Sequence, residues 1–222
     1  MDAALLLLVD GRFPAGGHTF SAGVEAAVAA GDVRDAISLE RYLLGRLATT
    51  GRVDAAFATS SCAHLGDAEM LDRLDAEYGA RVMSPYLRAT SRRLGRQLMR
   101  AAVQIWPRPD LDALAMTSGG PHQAIALGAV VAAAGGTPDD AASLAFHHLG
   151  AAVTSAAVRL LGLDPIELAG VQARAGRRVD EGRDEWARWA TCPLADLPAD
   201  GGTLTEVLGE RHGSLDARMF IA

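Results

Sequence analysis

Alanine occupies 44 of the 222 positions, while aromatic residues make up only 5%. Alanine is the best intrinsic helix former, and strands are built from β-branched and aromatic residues. A chain with this bias has little from which to make a sheet. The expected fold is therefore all-α: a single compact domain of about ten helices with an extended C-terminal tail. Half of the residues are hydrophobic, enough at this length to bury one sizeable core. No repeat period and no low-complexity linker divides the chain. The helical domain is expected over residues 1–210, with a tail over residues 211–222, because Arg211 to Ala222 lacks a sustained apolar period.

All 21 basic residues are arginine. Without lysine there is no Schiff base and no P-loop ammonium for a nucleotide phosphate. A formal net charge of −6 argues against a nucleic-acid partner, which calls for a basic face. Cys62 and Cys192 lie far apart, a pattern that suits the reducing cytoplasm. The apolar run Ala3 to Val9 is flanked by Asp2 and Asp10, not by the basic region of a secretory signal, and reads as a short buried helix. The longest other apolar run, Ala124 to Ala134, falls short of the roughly 20 residues that cross a bilayer. No membrane partner is expected.

Caps, prolines and glycines divide the chain into helices. Ser84-Pro85 is an N-cap followed by proline in the first turn, and predicts a helix to Ile105, before Pro107. Its stripe of Arg88, Arg92, Arg93, Arg96 and Arg100 is either a solvated face or a surface for an acidic partner. Thr137-Pro138-Asp139-Asp140 is a second strong start, with two acids at the positive dipole end. The helix it opens, to about Leu161, is rich in alanine and poor in charge and is expected at the centre of the core. Trp186 and Trp189 share one face of a helix over about Val179 to Ala190, and Thr203 to Glu210 form a last short helix.

The chain offers little catalytic chemistry. None of the six histidines is paired at the i, i+4 spacing of a zinc helix. No serine stands in a nucleophile elbow. His147 and His148 are adjacent, so a helix points them about 100° apart. A metal-dependent hydrolase using these two with Asp139 is the alternative to a non-catalytic domain devoted to protein contacts.

The segment from Leu5 to Glu25, LLLLVDGRFPAGGHTFSAGVE, resembles the N-terminal signature of the UreF family of urease accessory proteins. An apolar helix there leads into a D-S-x-x-P-x-G pattern followed by S-x-G-L-E. Asp10, Pro14, Gly16, Ser21, Gly23 and Glu25 match it, with Phe20 just before the second serine, Val24 for leucine and Gly11 for the first serine. Ser91 and Gly95, His122 to Gly128, and Ala156 to Leu160 follow the order of later family segments. The ending Arg211-His212, then Arg218-Met219-Phe220, resembles the family's R-H-x-x-x-x-R-L-F. Gly162-Leu163 replaces a Gly-Gln pair.

The resemblance implies an all-α, non-enzymatic protein without a cofactor of its own. It implies a homodimer that acts with UreD (also called UreH), the GTPase UreG and the urease structural subunits, so that nickel is inserted into apo-urease. An arginine given in trans to UreG is a variant of that role. The partner-binding residues it points to are Phe13, Pro14, Gly16, His18, Phe20, Ser21 and Glu25 in the first segment, and Arg211, His212, Arg218, Met219 and Phe220 in the last. Met219 and Phe220 are apolar at a chain end and need a cover. Either a partner supplies it, or the tail folds back on its own domain. Glu25 is either a local acid near the start of its helix or a contact for a partner or a metal path.

Overall fold

A computed structural model of the chain describes residues 3–14, 20–213 and 219–220. The all-α expectation holds: among the described residues there are twelve α-helices and no strand. A 3-10 turn at Ala3–Leu5 leads into α1 (Leu6–Val9), and α2 follows at Val24–Ala29. Then come α3 (Ala36–Ala48), α4 (Thr50–Ala63), α5 (Ala68–Arg81), α6 (Pro85–Ile105) and α7 (Pro109–Ala115). The second half holds α8 (Gln123–Ala133), α9 (Pro138–Leu161), α10 (Pro165–Asp180), α11 (Arg183–Trp189) and α12 (Thr203–Gly213).

The strongest sequence signals set the element boundaries. Ser84 Oγ accepts the Leu87 N–H and caps α6. Thr137 and Asp140 form a reciprocal capping box at the start of α9. The same cap-and-proline signal stands at Asp164-Pro165, where the Asp164 carboxylate accepts the Ile166 N–H. It marks α10, which a reading by apolar period alone passes over. The helix expected over Val179 to Ala190 is instead broken: α10 ends at Asp180 and α11 starts at Arg183, with Gly182 between them. Both tryptophans of α11 are nonetheless buried. α12 extends to Gly213, so Arg211 and His212, expected in the tail, form its last turn. Cationic residues are favoured there by the helix dipole.

α4, α8 and α9 form the centre and pack on one another, with α6 against α8 and α10 against α9. Small residues bring these helices close. A Cβ on Gly128 would lie 2.1 Å from the Ala58 carbonyl oxygen, and one on Gly95 would lie 2.1 Å from that of Pro121. α9 is long and apolar enough by composition to cross a membrane. In this fold it is the core helix, with neighbours on α1, α2, α3, α4, α8, α10 and α11. Two acids of α12 reach the start of α6: Glu206 accepts the Ser84 N–H at 2.7 Å, and Glu210 accepts the Tyr86 N–H at 3.1 Å.

Candidate functional site

The S-A-G-V-E stretch folds into a turn whose shape depends on its neighbours. Ala22 and Gly23 both take left-handed backbone angles, φ 51° and 81°. The Ala22 carbonyl accepts from Tyr42 Oη at 2.7 Å and from the Arg46 guanidinium at 2.5 Å. A Cβ on Gly23 would meet the same Tyr42 oxygen at 2.7 Å. Gly23 is therefore needed twice, for its angle and for the close approach. The turn starts α2 and fixes the position of Glu25 in its first turn.

Glu25 faces the C-terminal segment. Its Oε1 accepts the Met219 N–H at 2.7 Å and its Oε2 accepts the Phe220 N–H at 3.1 Å. From α12, His212 lies fully buried, with Nε2 3.1 Å from the Phe220 carbonyl and Nδ1 3.6 Å from Glu25 Oε2. A carbonyl can only accept, so this bond places the proton on Nε2. From α9, the Arg159 guanidinium stands 4.4 Å above the Phe220 ring. Phe220 is 5% exposed, whereas Met219 is 54% exposed. Of the two covers expected for these residues, Phe220 has found that of its own domain.

The remaining expected residues are distributed as follows. Ser21 is buried beside the turn, and Phe20 is half-buried. Phe13 stacks on Trp106 with centroids 6.3 Å apart, and Pro14 is exposed. Arg211 is exposed on α12. Gly16, His18 and Arg218 lie outside the described residues. Arg159 stands in the Ala156 to Leu160 segment that follows the family order, but sequence reasoning did not place it at this site. That reasoning also missed Leu204 and Val207, which are 60% and 44% exposed. With Arg211 they recur at spacings of three and four, the signature of one helical stripe. The arginine stripe of α6 is largely occupied within the chain. Arg88 binds the carbonyls of Val82 and Met83, Arg92 binds Asp75 and the Gly120 carbonyl, and Arg96 binds the Gly119 carbonyl.

A cavity of about 280 Å³ lies inside the helices, lined by Phe13, Phe20, Arg46, Asp54, Tyr78 and His148 among others. Asp54 accepts from Tyr78 Oη at 2.6 Å, and burial raises its pKa to about 6, against the smaller lowering effects of Tyr78 and Arg46. Burial likewise lowers the pKa of His147 and His148. His148 Nε2 lies 2.7 Å from the Leu8 carbonyl, so that bond uses the nitrogen as a donor. Asp139 is paired with Arg183 at 2.6 Å. Among the described residues no three His, Cys, Asp or Glu side chains group in a way that could hold a metal ion.

The turn that presents Glu25, and the tail bound to it, join the two segments carrying the family resemblance. The family model named UreF matches residues 33–176. The chain is 39% identical over 220 residues to the urease accessory protein UreF of Mycolicibacterium vanbaalenii, covering 98% of this chain and 97% of that one. The chain belongs to the UreF family. The UreF proteins of Mycobacterium marinum and Mycobacterium tuberculosis are 38% and 34% identical, again over nearly the whole of both chains. The family is one of urease accessory proteins, not of enzymes. For this UreF-family chain the hydrolase alternative is therefore set aside.

Proposed function

We propose that this chain is a cytoplasmic, homodimeric adaptor in urease maturation. It binds UreD/UreH, and with it recruits or regulates UreG, so that nickel reaches apo-urease with the urease structural subunits as final partners. The observation that carries this reading is similarity to proteins named urease accessory protein UreF along nearly the entire length. An adaptor needs a surface and no catalytic constellation, and the C-terminal region supplies one. The stripe of Leu204, Val207 and Arg211 on α12, and the outward Met219, offer apolar contact and an arginine fork for a carboxylate. Glu25, His212 and Phe220 act behind that surface by holding the end of the chain in place.

The test is co-purification of the tagged chain with UreD/UreH and UreG from the same source, read by size-exclusion chromatography with light scattering. The expected result is a defined complex containing two copies of this chain. Val207→Asp and Met219→Asp, each at an exposed position, are expected to weaken UreD/UreH binding at least tenfold without changing the melting temperature. A lone monomer that ignores both partners would reject the adaptor reading. Undiminished binding by both variants would reject this surface.

A further inference from the structure

The contacts made to Met219 and Phe220 are of a kind that reads a peptide rather than one particular chain end. Three groups from three separate helices converge on two residues. The two oxygens of Glu25, on α2, take consecutive backbone N–H groups at 2.7 and 3.1 Å. His212, on α12, takes the carbonyl of the second residue at 3.1 Å. Arg159, on α9, covers the second side chain, an aromatic ring, at 4.4 Å. The Glu25 side chain is only 11% exposed. A carboxylate so far removed from water needs donors, and the two amides supply charge-assisted bonds. The first residue contributes its backbone, while its side chain stays largely in solvent. Backbone bonds that give affinity and one pocket that gives specificity are the recurring features of peptide recognition.

We propose that Glu25, His212 and Arg159 form a binding site for a short peptide segment whose second residue is aromatic. This chain fills the site with its own Met219-Phe220. The site requires a free N–H at both positions, so proline is excluded from either one. An occupant on the same chain acts at an effective concentration in the millimolar range. A free peptide of the same chemistry therefore enters only when the resident ring is removed. The proposal goes beyond the adaptor reading and does not depend on it.

The experiment uses the full-length protein and a fluorescein-labelled peptide of residues 218–222, followed by anisotropy up to 1 mM. The Phe220→Ala variant is expected to bind the peptide saturably and at least tenfold more tightly than the wild type does. Adding Glu25→Gln to that variant is expected to cost at least tenfold, because an amide nitrogen then faces one of the two N–H groups. The peptide with phenylalanine replaced by alanine, or with methionine replaced by proline, is expected not to bind. Equal binding by wild type and Phe220→Ala, or no binding to Phe220→Ala, overturns the proposal. A second readout needs no added peptide. In hydrogen exchange the C-terminal amides of the wild type are expected to be protected, and Glu25→Gln is expected to speed their exchange at least tenfold while exchange in α9 is unchanged. Identical exchange at the C-terminus in the two proteins overturns it as well.

Discussion

At Gly23 the backbone and its surroundings impose the same requirement. Its φ of 81° is costly for any residue with a Cβ, and the space a Cβ needs is filled by the Tyr42 hydroxyl and the Arg46 guanidinium. Those two groups hold the Ala22 carbonyl, so a side chain at Gly23 strains the turn and displaces its supports together. Gly23→Ala is expected to destabilise the protein by about 2 kcal/mol, read as a lower urea midpoint with an unchanged slope. A midpoint within error of the wild type would mean that the turn relaxes without loss. This residue was visible in the sequence as part of a motif, but its reason was not. The tyrosine and arginine that require it lie some 20 residues further on, in α3. The same holds for Glu25. Its place near a helix start was legible, whereas its partners at Met219 and Phe220 stand nearly 200 residues away, where no local pattern reaches.

Helices were legible at two of the three places where a side-chain cap and a proline coincide, and blurred where apolar spacing alone had to decide. Ser84-Pro85 and Thr137-Pro138 gave the starts of α6 and α9 because both signals act within one turn. α10 was missed although Asp164-Pro165 carries both signals and Leu168, Val171 and Ala175 recur at helical spacing on its buried face. α7 was missed because seven residues span only two turns. Glycines within helices need the structure to tell them apart. Gly128 meets the backbone of α4, so Gly128→Ala is expected to push α8 from α4 and cost about 1–3 kcal/mol. Gly176, exposed on α10, is different: a methyl group added there would meet nothing within 4 Å. There the helix propensity of alanine acts alone, and Gly176→Ala is expected to gain about 1 kcal/mol. Thermal or urea unfolding of the pair checks both. The same sign for the two substitutions would contradict the packing described at α4 and α8.

For the whole molecule, the buried titratable groups oppose one another in their response to acid. Asp54 holds its proton up to a pH of about 6 in the folded state, against 3.8 as its ordinary value. The folded state thus binds the extra proton, and stability from this group grows as pH falls from 6 towards 3.8, by about 3 kcal/mol in all. His122 has the reverse sign. Burial lowers its pKa from 6.5 to about 4, so the unfolded chain takes the proton first and stability is lost as pH falls from 6.5 towards 4, again by about 3 kcal/mol. Those two nearly cancel. His147 and His148 are also lowered by burial and add to the loss. The net expectation is a modest fall in stability between pH 7.5 and 5. Asp54→Asn separates the contributions. At pH 7.5 it removes a buried carboxylate while leaving Tyr78 an oxygen to bind, so the variant is expected to exceed the wild type by about 2 to 3 kcal/mol. On acidification it lacks the compensating proton, so its stability is expected to fall more steeply than that of the wild type. Urea midpoints at pH 7.5, 6.0 and 5.0 measure this directly. Parallel profiles for the two proteins would mean that Asp54 stays charged inside the cavity, held there by Arg46 more strongly than burial opposes it.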